Sequence, residues 1–275
     1  MNRFVLDHLN QLKEKFLNPE LELRILINKS KIKRQNIILS NFDIKDIDLM
    51  KFKKYFSRRI VNEPISKIFN VKGFWKNDFY VDTNVLDPRP ETELILEKIL
   101  NFYPIKEKKL SILDMCTGSG CIAISLAKEY LNAEIFATEI STKAIEIAKL
   151  NAKKLDCLNR IKFINCDLIN EIKKYDIVIC NPPYLSERQY KKTSLEIQNF
   201  EPKNALVAKQ NGYEFYYRLS KILPKILDTK SHAFIEIGSS QASEVIDIFN
   251  SNKVKLIETV KDIQNFDRLL ILNKP

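Results

Sequence analysis

The sequence predicts an α/β fold: an open, mostly parallel sheet covered on both faces by helices, with a small helical domain ahead of it. Three observations carry this expectation. After residue 110, short apolar runs alternate with amphipathic stretches of helical length, the pattern of successive βαβ units. A glycine-bearing turn, Thr117-Gly118-Ser119-Gly120, joins the first such run to the first such stretch. The first sixty residues carry apolar side chains at helical spacing with few strand signals.

Phe4, Val5, Leu9, Leu12 and Phe16 recur at spacings of three and four, and Pro19 marks a break. Leu21, Leu23, Ile25, Leu26 and Ile27 follow so closely that helix and strand both fit. Residues 46–60 form a third, amphipathic segment whose apolar members are Ile47, Met50, Phe52, Tyr55 and Phe56. Over 62–90 the pattern changes: Ile65, Ile68, Phe69, Val71, Phe74, Phe79, Val81 and Val85, punctuated by Gly73 and Asn77-Asp78, predict a β-hairpin. Pro88-Arg89-Pro90 then stops the extended chain. Glu91 and Glu93 follow, where a helix dipole favours negative charge. Strands are expected at 110–115, 134–138, 161–165, 176–180, 233–237 and 268–272, with helices at 122–130, 142–153, 213–227 and 242–251.

A chain of 275 residues accommodates one large domain, or an ordinary one plus a small one. Its 45% hydrophobic and 29% charged residues exclude a disordered chain. No apolar run approaches the ~20 residues needed to span a bilayer, and the N-terminus lacks the apolar core of a signal peptide. A soluble cytoplasmic protein is therefore expected. The five cysteines are never spaced as C-x-x-C, and His8 and His232 are the only histidines, so no metal site is expected. The net charge of +10 favours encounters with nucleic acid or a ribonucleoprotein. The lysines are scattered, however, and in a chain rich in Lys, Asn and Ile with only five glycines the charge also reads as compositional bias.

Residues 111–120 describe a buried strand running into a turn and then a helix. Glycine there lets the backbone turn sharply and a ligand approach it. Glu139 ends the next strand about 20 residues on, where a carboxylate suits a pair of ribose hydroxyls. Asp167 is a third acidic position, after the following strand. A dinucleotide prefers G-x-G-x-x-G and a helix N-terminus free of nearby carboxylate. Here the turn reads Cys116-Thr117-Gly118-Ser119-Gly120 with Asp114 at its entrance, which favours a ligand carrying ammonium and sulfonium charges: S-adenosylmethionine.

The hydrophobic run Tyr175-Asp176-Ile177-Val178-Ile179-Cys180 closes in Asn181-Pro182-Pro183-Tyr184. Proline fixes φ and donates no hydrogen bond, so neighbouring carbonyls stay free to accept. With the Asn181 carbonyl and the Tyr184 ring, the loop suits a planar NH2 group, whose hydrogens need acceptors and whose face needs a ring. Amides and exocyclic base amines both meet that description.

Further segments narrow the choice: Asp87-Pro88-Arg89-Pro90-Glu91-Thr92-Glu93, Ala137-Thr138-Glu139-Ile140-Ser141, Phe200-Glu201-Pro202-Lys203-Asn204-Ala205-Leu206, Glu236-Ile237-Gly238 with Gln241, and Asp262 with Arg268. Together with 113–120 and Asn181 to Tyr184, in this order, they closely resemble the protein-glutamine methyltransferases that modify peptide chain release factors, the PrmC/HemK family. The resemblance implies a Rossmann-like class I methyltransferase sheet with an N-terminal helical domain and a β-hairpin linker. It divides the chain into a substrate-recognition domain over 1–62, the linker over 63–87 and an S-adenosylmethionine-dependent domain over 88–275. The implied reaction methylates the side-chain amide nitrogen of the glutamine in the Gly-Gly-Gln loop of class 1 release factors, with no direct nucleic-acid substrate and no membrane. By position, Cys116 to Gly120 would hold the methionine part of the donor, Glu139 the ribose, and Leu168 would lie near the adenine. Asn181, Pro182 and Tyr184 would hold the glutamine amide beside Pro183, with Arg89, Thr92 and Glu93 lining the same pocket.

The sequence departs from the family pattern in three places. Cys116 replaces the usual first glycine of the turn, a change that is harmless at negative φ and costs ~1–2 kcal/mol at positive φ. Lys209-Gln210 replaces a glycine-containing turn, and Asp87 stands where an apolar residue is usual. Two other readings remain in view: an adenine-amine methyltransferase acting on RNA or DNA, and a binding module whose altered turn no longer holds donor.

Overall fold

The computed structural model describes residues 3–32 and 36–275. They form two compact units. The first takes in the chain up to Asn70 together with Leu195–Phe200, and the second comprises Val71–Ser194 and Glu201–Pro275.

The first unit is helical: α1 (Arg3–Lys13), α2 (Pro19–Lys29), α3 (Leu49–Ile60) and α4 (Ile65–Phe69). Residues 21–27, ambiguous in sequence, lie in a helix that Pro19 opens from its first turn with Glu20 and Glu22 beside it. Asp48 caps α3 by accepting from the backbone N–H groups of Met50 and Lys51, at 3.0 and 3.1 Å. Val5, Leu9, Leu12, Leu23, Leu26, Ile27, Phe52 and Phe56 form the core. Arg59 is buried against the Phe16 ring, 3.6 Å from its centroid. Its Nε donates to Glu22 at 2.8 Å, and its Nη1 lies 2.6 Å from Glu196 on the Leu195–Phe200 helix.

The stretch expected to be hairpin from Ile65 onward begins as helix. The N–H groups of Lys67 and Ile68 both donate to the Pro64 carbonyl, and Asn70 ends the turn in the left-handed region. These local caps outweigh the β-propensity of Ile65, Ile68 and Phe69. The hairpin itself is shorter, β1 (Lys72–Phe74) pairing antiparallel with β2 (Asn77–Phe79).

After α5 (Glu93–Phe102), the second unit alternates as expected: β3 (Ser111–Met115), α6 (Cys121–Glu129), β4 (Glu134–Glu139), α7 (Thr142–Lys154), β5 (Ile161–Asn165) and β6 (Ile177–Cys180). Beyond the short α8 (Glu187–Tyr190) and α9, the Leu195–Phe200 helix, come α10 (Glu214–Ile226), β7 (His232–Glu236), α11 (Ala242–Asn250), β8 (Lys255–Lys261) and β9 (Asp267–Asn273). The seven-stranded sheet runs β5-β4-β3-β6-β7-β9-β8. Strands β5 to β7 are parallel, whereas β9 runs antiparallel to both of its neighbours. The edge strand β8, unforeseen in the sequence, owes its place to pairing with β9; most of its side chains reach solvent. From β3 the chain winds outward through β4 to β5, then crosses back to β6 on the other side of β3. That reversal opens a crevice at the C-terminal ends of β3 and β6. Among the described residues, no helix is long and apolar enough to cross a membrane.

Candidate active site

At the end of β3 the backbone turns through Cys116, Gly118 and Gly120 at φ 59, 54 and 80°. Cys116 therefore occupies the left-handed region, the costly case for a residue with a Cβ. Asp114 is fully buried beneath the turn. Its Oδ2 accepts from Thr117 Oγ1 at 2.5 Å and from the Ala123 N–H at 3.2 Å. Its Oδ1 has no partner among the described residues. Burial pushes this carboxyl up to about 7, against the pull of those two hydrogen bonds. Glu139 lies at the end of β4, where Oε2 accepts from the Gly118 N–H at 3.1 Å and Oε1 from the Ser141 N–H at 3.0 Å. Both bonds come from the backbone, so the carboxylate is fixed in direction while keeping lone pairs in reserve.

The crevice holds a cavity of about 280 Å³. Cys116, Thr117, Gly118, Ser119, Glu139, Asp167 and Leu168 line it, as do Arg89, Thr92, Asn181 and Pro183. The β3–β6 register explains why these two sets meet: Met115 lies opposite Cys180, so Asn181 leaves the sheet beside Cys116. The two thiols are 3.9 Å apart. Asp167 is paired at 2.7 Å with Arg218, another lining residue, and Leu168 accepts from Thr138 Oγ1 through its carbonyl.

The Asn-Pro-Pro-Tyr loop is held from several directions. The N–H groups of Tyr184 and Leu185 donate to the Leu206 carbonyl at 3.2 and 2.8 Å. The Tyr184 carbonyl accepts from Gln241 Nε2 at 3.2 Å. A Cβ on Gly212 would lie 2.2 Å from that same carbonyl oxygen, so no larger residue fits there without moving the loop. Burial drives the Tyr184 phenol well above its usual range, and the nearby Glu236 carboxylate adds to the shift. Arg89 Nη2 reaches both oxygens of the buried Glu201, at 2.8 and 2.9 Å, joining the Pro-Arg-Pro and Glu-Pro segments. Thr92 Oγ1 donates to Glu236 at 2.7 Å and accepts from Asn181 Nδ2 at 3.2 Å.

Several expected residues lie elsewhere than on the cavity wall. Glu93 turns its carboxylate to the Trp75 N–H at 2.7 Å, capping the hairpin. Its sequence neighbour Thr92 faces the cavity because successive positions on a helix point in different directions. Asp114 and Gly120 support the turn from below and behind. Pro182 is buried and Tyr184 half-buried behind the lining side chains Asn181 and Pro183. Conversely, Arg218 escaped sequence reasoning. Glu201, Glu236 and Gln241 were visible in motifs yet unassigned. The one available signal for Glu236 was a carboxylate ending the otherwise apolar run Ala233-Phe234-Ile235. Gln210, in the segment that lacks the family's glycine, adopts φ 52°, with Asn211 at 56°.

Residues 89–212 match the family model of the methyltransferase small domain, and the sheet order and crevice make this a class I methyltransferase fold. A methyltransferase from Pyrococcus furiosus shares that fold, with a TM-score of 0.53 at 15% identity over 81% of this chain and 98% of that one. The release factor glutamine methyltransferase of Clostridium acetobutylicum is 34% identical over 87% of this chain and 86% of its own length. The chain belongs to the release factor glutamine methyltransferase family. It is also 33% identical to a bifunctional methyltransferase of Rickettsia prowazekii over 92% of this chain, of whose length it spans about half, 53%.

Proposed function

We propose that this protein transfers a methyl group from S-adenosylmethionine to the side-chain amide nitrogen of the glutamine in the Gly-Gly-Gln loop of class 1 release factors, in the cytoplasm. The observation that carries the reading is the juxtaposition of Asn181 with the Cys116–Ser119 turn in one cavity. The relatives' shared name supports the choice of substrate.

The residues present fit the donor. Gly118 leaves open space where a Cβ would stand, with nothing within 4 Å. Asp114 Oδ1 is buried and unpartnered beneath the turn, and Glu139 is aimed by two backbone N–H groups. The turn from Cys116 to Ser119 would hold the methionine part, Glu139 the ribose, and Leu168 and Asp167 the adenine end. Bound there, the donor supplies a sulfonium-activated methyl group.

An amide nitrogen is a poor nucleophile because its lone pair is delocalised into the carbonyl. Asn181 and the adjoining Pro182 backbone accept its two hydrogens, which aims the nitrogen and resists its planarity. Tyr184 backs the loop and Arg89, fixed by Glu201, lines the entrance. Positioning thus supplies most of the acceleration, and the proton leaves once the nitrogen has become cationic.

Mass spectrometry of the release-factor loop peptide after incubation with protein and donor tests the assignment: one added methyl on glutamine is expected. Asn181→Ala should lower kcat by about 10²-fold with donor Kd little changed. Label appearing in RNA instead of release factor would overturn the substrate.

A further inference from the structure

Glu236 ends β7 with its side chain buried beside the Asn-Pro-Pro-Tyr loop. Its carboxylate accepts a hydrogen bond from Thr92 Oγ1 at 2.7 Å, and the side-chain amide of Asn181 beside it favours the ionised form. Asn181 Nδ2 also donates to Thr92 Oγ1, at 3.2 Å. The single hydroxyl proton of Thr92 is committed to Glu236, so toward Asn181 the threonine can only accept. An ionised carboxylate likewise has no proton to give. Both neighbours of the Asn181 amide are therefore acceptors, and only its NH2 end can face them.

This arrangement bears on which end of Asn181 faces the cavity. A carboxamide has an accepting and a donating end that a half-turn exchanges. An asparagine free to make that half-turn would present NH2 to the cavity as readily as oxygen. We propose that Glu236 is a positioning residue that locks the half-turn of Asn181, so that Oδ1 is always the atom offered to the substrate. The inference rests on the carboxamide-methylating reading and adds a basis for specificity. A glutamine NH2 meets an acceptor, whereas a glutamate side chain of the same length brings its own lone pairs against Oδ1 and is refused.

The charged and titratable groups facing Glu236 are Arg268 from β9, Glu91 from the turn before α5, Tyr184 from the loop, Tyr216 from α10 and Cys121 from α6. Of these only Arg268 favours its ionised form. Burial dominates and raises the carboxyl to about 7, against the hydrogen bond from Thr92. The lock consequently engages as pH rises through neutrality.

Three variants of the full chain test this: Glu236→Gln, Asn181→Asp and the double variant. Glutamine keeps the shape of Glu236 but can donate, so in Glu236→Gln the Asn181 amide is free to invert. With full-length release factor, kcat should fall roughly tenfold or more, with KM for the donor and melting temperature near wild type. The wild-type loss of kcat below about pH 7 should be absent from the variant. Asn181→Asp sets two carboxylates face to face and should also be slow. In the double variant, the amide introduced on β7 donates to the carboxylate introduced in the loop, whose second oxygen then faces the cavity. Its kcat should therefore exceed that of either single variant. Glu236→Gln within twofold of wild type across the pH range, or a double variant no better than both singles, would overturn the lock. A readout independent of activity separates this from failure of the functional reading. In the donor-free wild type, the Asn181 side-chain NH2 resonances should be shifted, slow to exchange and titrating with Glu236, whatever the substrate proves to be. Resonances that ignore both pH and Glu236→Gln overturn the proposal even if glutamine is methylated.

Discussion

Asp114 and Glu236 share an unusual condition: each is a buried carboxyl raised to about 7, Asp114 resisted by Thr117 and Ala123, Glu236 by Thr92 and Arg268. A carboxyl raised above its unfolded value binds more protons folded than unfolded. Its stabilising contribution is full below about pH 4 and is lost as pH rises through about 7. In the ligand-free protein, wild type should therefore lose stability relative to Glu236→Gln or Asp114→Asn between pH 5 and 8, by a few kcal/mol. Paired melting curves check this; a difference that stays constant with pH would contradict it. The same ionisation that costs stability frees Glu236 to hold Asn181, a trade common at working sites. Cys116 makes a second residue-scale test. At φ 59° its Cβ is strained, and a β-branched side chain should be worse. Urea denaturation should rank Cys116→Gly at or above wild type, and Cys116→Val at least about 1–2 kcal/mol below it. Donor affinity should fall most in the valine variant.

At the scale of the element, the loop after β6 depends on what backs it. Gly212→Ala places a methyl group 2.2 Å from the Tyr184 carbonyl and holds alanine at a φ of 95°. The backbone oxygen cannot rotate away, so the loop must shift. A loss of about 2–3 kcal/mol is expected, with kcat suffering more than donor Kd. Equal losses in both would mean that the loop does not position substrate. Strands β3, β6 and β7 were readable in the sequence because both their faces are buried, leaving mostly apolar runs that only Asp114 breaks from within. Strand β8 was not, since an edge strand with exposed side chains carries no such run. α4 was misread because its residues favour strands while its caps, Pro64 and Asn70, decide the outcome. Within the site, contiguous segments were legible one by one. What joins them was not: Arg89 to Glu201 and Thr92 to Glu236 are bonds across more than a hundred positions, and no local pattern encodes which elements will lie side by side. Glu93 failed for the opposite reason, its nearness in sequence to Thr92 hiding a different direction in space.

For the molecule as a whole, the helical unit recruits Leu195–Phe200 from far along the chain, and Arg59 is the charged link. Arg59→Met removes a guanidinium from between Glu22 and Glu196, which should cost on the order of 3 kcal/mol. Hydrogen exchange should then show faster amides in α3 and in Leu195–Phe200 together. Acceleration in α3 alone would mean that Glu196 contributes nothing to the attachment. Glycine offers a last lesson about the whole chain. Ten other residues among those described adopt positive φ without it, from Asn62 to Asn265. Yet of the five glycines, Gly118 and Gly120 form the turn after β3, while Gly212 and Gly238 lie against Tyr184. In a composition this hostile to the smallest residue, its few survivors act as a map. Plotting those four alone, with no motif in mind, would lead an observer to the crevice at the ends of β3 and β6.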